Sequence, residues 1–300
     1  MNDCIKLTIL TPTYNREELL QRLYKSLCEQ TCREFQWLVI DDGSTDSTQE
    51  QIEKIIKQEK ICVDYKRKEN GGKHTALNYA HPYIKGKYVV IVDSDDLLTQ
   101  DAVEKIIKKW ERYELDSTVA GITFQRGKIE TGQTFDNSIK GEYISTFAKE
   151  TNRGMHGDHC ETVRTELFKN FEFPEFSDEY FIAEGAMWYS LTKDYRVVYT
   201  DEIVYLAEYL KGGLTKSGRK LHIKNPKGCM WHASVFLNSD FKLRIRIKNA
   251  LLYICYGKFA SIDKETMLEN VAGEKNIIQI LWPVGWMLYR YWKEKYIINE

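Results

Sequence analysis

Three hundred residues allow one large domain or two small ones, with ample chain for a core. Basic and acidic side chains nearly balance, at 43 against 44, which excludes a protein that holds nucleic acid by bulk charge. Seven scattered cysteines (Cys4, Cys28, Cys32, Cys62, Cys160, Cys229, Cys255) lack zinc spacing and predict reduced thiols, mostly core filler, in a cytosolic protein. The opening MNDCIKLTIL has no basic-then-apolar leader, so no signal peptide is expected. No stretch reaches the roughly 18 apolar residues of a membrane span.

Strand and helix patterns alternate over the first 115 or so residues, which predicts an α/β fold with a mainly parallel, Rossmann-like sheet and flanking helices. Lys6–Thr11 reads as a strand and Pro12–Arg16 as a turn. Glu17–Gln30 carries Leu19, Leu20, Leu23 and Leu27 at helical spacing. Phe35–Ile40 is the next strand, ended by Asp41-Asp42-Gly43-Ser44. Thr45 or Asp46 would cap a helix holding Ile52, Ile55 and Ile56. Ile61–Tyr65 is a third strand, and Asn70-Gly71-Gly72 opens a helix through Ala80. Tyr88–Val92 is a continuous apolar run, the mark of a strand buried on both faces, and Asp101–Tyr113 is its helix. Thr118–Phe124 reads as another strand. Short helices, strands and turns mix over 151–215, and the pattern is helical again from about Ser234. The expected division is 1–115, 116–232 and a helical C-terminal region, 233–300.

Each early strand ends in polar residues: Thr11-Pro12-Thr13-Tyr14-Asn15, then Asp41–Asp46, then Asn70-Gly71-Gly72-Lys73-His74, then Asp93-Ser94-Asp95-Asp96. Each has a plain structural reading, as a helix cap or a glycine turn. In a parallel sheet, however, strand carboxyl ends share one edge, where ligands bind. Three acids directly after a buried strand exceed what a cap requires. They are unfavourable together unless a cation neutralises them, which points to a divalent metal carrying a diphosphate.

The motifs TPTYNREELL, VIDDGSTDST, ENGGKHTALN and IVDSDD, in this order, closely resemble those of the family 2 glycosyltransferases, with their A-type nucleotide-sugar-binding fold. The resemblance covers residues 5–115 strongly and 150–215 more loosely. It implies a metal-dependent inverting transfer from a nucleotide sugar, with uridine the usual base and Mn2+ or Mg2+ the ion. Thr11, Pro12 and Tyr14 would line the nucleobase pocket, Tyr14 packing on the base, and Asp42 would accept a hydrogen bond from it. Asp93 and Ser94 would contact the ribose side of the site. Asp95 would be the main metal ligand, assisted by Asp93 or Asp96. Many relatives have Ala-Arg-Asn where this chain has Ala76-Leu77-Asn78, so Lys73 or His74 is expected to supply the missing charge.

For the catalytic base the resemblance points to an acid pair before an aromatic helix. Here Glu184 precedes Gly185, which replaces the usual second acid. Glu184 is the expected base, with Asp178 and Glu179 as alternatives. Its plainer reading is an acid favoured at a helix start. His156 and Asp158 would belong to an acceptor wall. Trp188 would stack on a sugar or be buried. Tyr209–Arg219 would form a lid whose cations touch the diphosphate, and His222 could add a metal ligand.

Lys242–Lys248 is strongly basic, and Lys275–Lys295 is rich in aromatic and basic residues, with Pro283 and Gly285 expected to break a continuous helix. Such segments suit the inner face of a cell membrane, or else pack on the rest of the chain. Membrane contact would fit a saccharide or polyprenyl-diphosphate-linked acceptor in surface polysaccharide assembly. A dinucleotide dehydrogenase is disfavoured because no GxGxxG follows the first strand. A nucleotidyltransferase would show a glycine-rich basic loop there. A catalytically silent sugar-nucleotide-binding or assembly protein is the alternative of a different class.

Overall fold

Seven consecutive buried residues make Leu7–Thr13 (β1) a strand covered on both faces, and Phe35–Asp41 (β2) repeats the pattern. These and the elements below belong to a computed structural model that describes residues 5–135, 138–155, 157–208 and 214–298. The chain divides into two units. The first comprises Met1–Phe147, Met155–Glu172 and Leu191–Glu208, and the second Ala148–Gly154, Phe173–Ser190 and Tyr209–Glu300.

The first unit contains a nine-stranded sheet, completed by Cys62–Arg67 (β3), Tyr88–Ile91 (β4), Leu97–Leu98 (β5), Val119–Lys128 (β6), Tyr143–Ser145 (β7), Cys160–Arg164 (β8) and Arg196–Ala207 (β9). The order is β3-β2-β1-β4-β8-β6-β9-β5, with β7 on β9. Strands β3, β2, β1 and β4 are mutually parallel, as are β6 and β9; β8, β5 and β7 pair antiparallel to their neighbours. The expected α/β architecture is thus present as a mixed, mainly parallel sheet.

Helices Glu17–Cys28 (α1), Thr48–Ile56 (α2), Lys73–Ala80 (α3) and Ala102–Tyr113 (α4) follow the first four sequence-predicted strands. Leu20, Leu23, Tyr24 and Leu27 of α1 and Ile106, Ile107 and Trp110 of α4 join the sheet in one apolar core. Ile52 and Ile55 of α2 are buried there too, while Ile56 is exposed. The cap position of α2 falls at Ser47, one residue later than expected, and Asp46 Oδ1 accepts from the Thr48 amide at 3.0 Å. Of the six described cysteines, Cys160, Cys229 and Cys255 are buried, and all six are free thiols.

Order 3-2-1-4 makes the gap between β1 and β4 the switch point, where chain connections leave in opposite directions. Register places Leu10 of β1 opposite both Leu38 and Ile91. The turns after β1, β2 and β4 therefore emerge at one edge.

In the second unit, Leu243–Phe259 packs with Pro226–Val235 and with Lys275–Lys293 around a core including Met230, Tyr253, Ile254, Met267 and Ile278. The predicted break at Pro283 and Gly285 does not occur: one helix runs through Lys275–Lys293. Pro283 lies on the exposed side, where the carbonyl it leaves without a partner can be hydrated. Gly285 faces the opposite way, and a Cβ there would lie 2.6 Å from Ile254 Cγ2. That glycine permits close helix–helix approach. No helix among the described residues is long and apolar enough to cross a membrane.

Candidate functional site

At the end of β2 two adjacent carboxylates do different work. Asp41 is fully buried and accepts from the Ser44 amide at 2.7 Å and the Tyr65 hydroxyl at 2.6 Å. Asp42 accepts from the Gly71 amide at 3.0 Å, the Gly72 amide at 2.6 Å and Lys68 Nζ at 2.9 Å. It therefore holds the start of α3 against the end of β2, with Lys68 balancing its charge. Three of its roughly four acceptor positions are used, which leaves one for a ligand. Gly43, at φ 82°, could not carry a side chain: its Cβ would meet the Asn70 amide at 2.7 Å. Gly72, at φ 93°, supplies the non-helical start of α3.

After β1, Asn15 Oδ1 accepts from the Thr45 amide at 2.8 Å, and Ser44 Oγ accepts from the Asn15 amide at 2.9 Å, so the first two turns are tied together. Tyr14 is exposed and Pro12 buried. Thr11 differs from expectation: its side chain is spent on the core, Oγ1 accepting from Trp37 Nε1 at 3.0 Å. Two residues on, Thr13 Oγ1 is buried without a hydrogen-bond partner among the described residues. A buried hydroxyl left so is costly unless water or a ligand reaches it.

The turn after β4 separates its three acids. Tyr205, far along the chain on β9, accepts from the Asp93 amide at 3.1 Å and donates to Asp96 Oδ2 at 2.6 Å. Asp96 is buried, and its pKa is pushed up to about 7, chiefly by burial, with the charges of Asp93 and Asp95 adding. Tyr205 thus engages one oxygen of Asp96, Oδ2. Asp93 pairs through Oδ1 with Lys73. Burial is the strongest single influence on Asp93 and acts upward, but Lys73, with Arg126 and Arg16, outweighs it and holds the carboxyl below its ordinary value. Ser94 is buried. Asp95 is partly exposed and makes no hydrogen bond or ion pair among the described residues.

Arg126 of β6 is a further part of this site that sequence patterns do not reveal. Its guanidinium lies 4.2 Å from the Tyr205 ring centroid, and Nε donates to the His159 carbonyl at 2.7 Å. Arg126 sits 30 residues after Asp96, and Tyr205 more than a hundred. Their only sequence signal is a polar residue interrupting an apolar strand.

Do these groups suit a divalent ion? Among the described residues no three His, Cys, Asp or Glu side chains converge as a ready-made metal centre. Mg2+ and Mn2+ carried by a diphosphate need only one or two carboxylates, the rest of the shell being phosphate oxygen and water. Asp95, unengaged, and Asp93, one oxygen on Lys73, meet that smaller requirement.

The second unit holds the acids expected for base catalysis. Glu184 stands immediately before the helix Gly185–Thr192, its carbonyl accepting from the Met187 amide at 2.8 Å. Glu179 is structural: its two oxygens accept from the Lys227 and Gly228 amides at 2.7 and 2.8 Å, capping Pro226–Val235. Asp178 pairs with Lys227 Nζ at 2.9 Å. Asn225 Oδ1 accepts from the Tyr180 amide at 2.7 Å and the Phe181 amide at 3.1 Å, fixing the chain that leads to Glu184. Trp188 is buried. His222 stacks on Phe181 at 5.5 Å, with Nδ1 3.3 Å from the Tyr256 hydroxyl; burial, then Arg219, lowers its pKa. Asp158, in the first unit, is exposed. His156 and residues 209–213 of the expected lid lie outside the described residues; Leu214–Lys224 is helical, interrupted at Gly218.

Comparison with known proteins gives a consistent picture. The model of the family described as Glycosyl transferase family 2 matches residues 8–171. Glycosyltransferase GlyA of Streptococcus pneumoniae is 25% identical over 230 residues, 70% of this chain and 32% of that protein. The GalNAc(5)-diNAcBac-PP-undecaprenol beta-1,3-glucosyltransferase of Campylobacter jejuni is 24% identical over 63% of this chain and 60% of its own. The chain thus spans under a third of GlyA and 19% of the Bacillus subtilis minor teichoic acid biosynthesis protein GgaB. Among solved structures, S. aureus TarS in complex with UDP-GlcNAc superposes with a TM-score of 0.62 at 22% identity, covering 85% of this chain and 72% of that one. The mannosyltransferase PcManGT of Pyrobaculum calidifontis, in complex with GDP-Man and Mn2+, gives 0.60 at 19% identity, covering 96% and 83%. At such identities these two likenesses speak for the fold.

Proposed function

The chain belongs to glycosyl transferase family 2, and from that premise we propose that it transfers a sugar from a UDP-sugar to a hydroxyl of a saccharide or lipid-linked saccharide, in surface polysaccharide synthesis at the inner face of a cell membrane. The observation that carries this reading is the turn after β4. There Tyr205 and Lys73 engage two of the three acids and Asp95 stands unengaged, at the switch point of the sheet. Support for uridine comes from TarS having been solved with UDP-GlcNAc. Support for the ion comes from the Pyrobaculum enzyme having been solved with Mn2+, and for a lipid-linked acceptor from the name of the Campylobacter relative.

In this reading Asp95 and Asp93 are the residues that would hold Mn2+ or Mg2+. When bound, that ion would offset the charge developing on the leaving phosphate. Tyr14 packs on the base, Asp42 accepts one hydrogen bond from it, and Thr13 supplies a further polar contact. Lys73, released from Asp93, reaches a phosphate oxygen. Glu184 takes the proton of the attacking hydroxyl, and the single displacement inverts the anomeric centre.

Calorimetry of UDP with and without Mn2+ tests the binding half. Wild-type protein should bind in a metal-dependent way, and Asp95→Asn should weaken binding at least about tenfold, the loss of roughly 1.4 kcal/mol. Unchanged affinity in Asp95→Asn would overturn the assignment. Glu184→Gln should bind UDP normally yet lose about 10²–10⁴-fold in turnover across a panel of nucleotide sugars. Binding without turnover by the wild type would make the chain a sugar-nucleotide-binding protein instead.

A further inference from the structure

The helix Lys275–Lys293 leaves a large apolar face uncovered. Ile280 is 76% exposed, Met287 60%, Tyr291 56% and Trp286 44%, with Val284 among them. At 100° per residue Ile280, Val284, Met287 and Tyr291 fall in one stripe; Arg290 borders it, and Trp286 lies beyond Arg290 on the flank of the helix. The opposite face is committed. Ile278 and Trp292 are buried, and Gly285 sits against Ile254, so the helix cannot roll to hide the stripe. Isolated exposed apolar residues are ordinary, but a contiguous stripe of three aliphatic residues and a tyrosine, with an exposed tryptophan on its flank, marks an interaction surface.

Charge identifies the occupant. From Lys275 to Lys293 the helix has no acidic residue. Glu274 just before it is paired with Arg246, and Glu294 just after it lies between Lys293 and Lys295. Arg290 lies 5.6 Å from the Trp286 ring centroid, and Lys295 5.6 Å from that of Tyr291, which keeps cations beside the aromatic rim. A second copy docked on this stripe, parallel or antiparallel, would bring these cations to a helix with no acid to pair with. An anionic bilayer satisfies both features. Its acyl boundary takes the aliphatic residues, its headgroup layer takes the aromatics, and its surface charge takes the arginine and lysines.

We propose that this stripe lies in the surface of an anionic lipid bilayer and docks the protein there. The proposal deepens the reading of synthesis at a membrane. It is tested without donor or acceptor, so it can fail while that reading stands.

The experiment is co-sedimentation of the full chain with phosphatidylcholine vesicles, with and without phosphatidylglycerol, at low and high salt. Wild-type protein should pellet with the phosphatidylglycerol vesicles and be released by salt. The variant Arg290→Gln/Lys293→Gln/Lys295→Gln should bind them roughly a hundredfold more weakly. Ile280→Ser/Met287→Ser should lose binding at every salt concentration, with an unchanged circular dichroism melt. Wild-type protein remaining in the supernatant would overturn the proposal. So would undiminished binding by both variants, or a wild-type dimer that Ile280→Ser/Met287→Ser converts to monomer.

Discussion

Asp93, Asp95 and Asp96 are chemically alike and fall within four residues, yet their surroundings give them three fates. Asp93 meets a lysine, Asp96 a buried tyrosine hydroxyl, and Asp95 neither. That a metal-suited cluster follows β4 is legible from the residue types. Which acid stays available is not, because the discriminating group is Tyr205, more than a hundred residues later. Tyr205→Phe tests this ordering. It leaves the buried Asp96 carboxyl and the Asp93 amide without their shared partner, which should cost about 1–3 kcal/mol of stability. It should also weaken Mn2+-dependent UDP binding, since the turn holding Asp95 loses its tether. Wild-type values for both the melting temperature and the affinity would show that the hydroxyl does not order the turn.

Elements built on local signals follow the sequence closely; those that depend on a distant neighbour do not. The apolar runs of β1, β2 and β4 and the leucine spacing of α1 lie where periodicity puts them. Gly285 shows the opposite case. Propensity reads it as a helix breaker, but its role is set by Ile254 on another helix. Two effects compete in Gly285→Ala: better helix propensity, up to about 1 kcal/mol, and overpacking, about 1–3 kcal/mol. Overpacking should win, because Ile254 is fully buried and the new methyl would lie 2.6 Å from it. The variant should melt lower than wild type, and Ile254→Val should recover part of the loss. A higher melting temperature in Gly285→Ala would show that the two helices can separate freely.

For the whole molecule, the first unit contains the turns that converge at the switch point, and ligand binding should register there first. Hydrogen exchange with UDP and Mn2+ at about a hundred times the dissociation constant should slow amides at Asp42, Gly71, Gly72, Asp93 and Asp96, by up to roughly a hundredfold where opening releases ligand. Protection absent from these turns would place the nucleotide elsewhere. Taken alone, the sequence determined the alternation of strands and helices, the polar strand ends and the family, because periodicity, turn chemistry and motif order act over a few residues. Tertiary structure alone decided that Thr11 faces the core, that Glu179 caps a helix, and that Asp96 accepts from Tyr205. Each of these outcomes depends on which distant donor satisfies a buried oxygen, and that pairing exists only once the chain has packed.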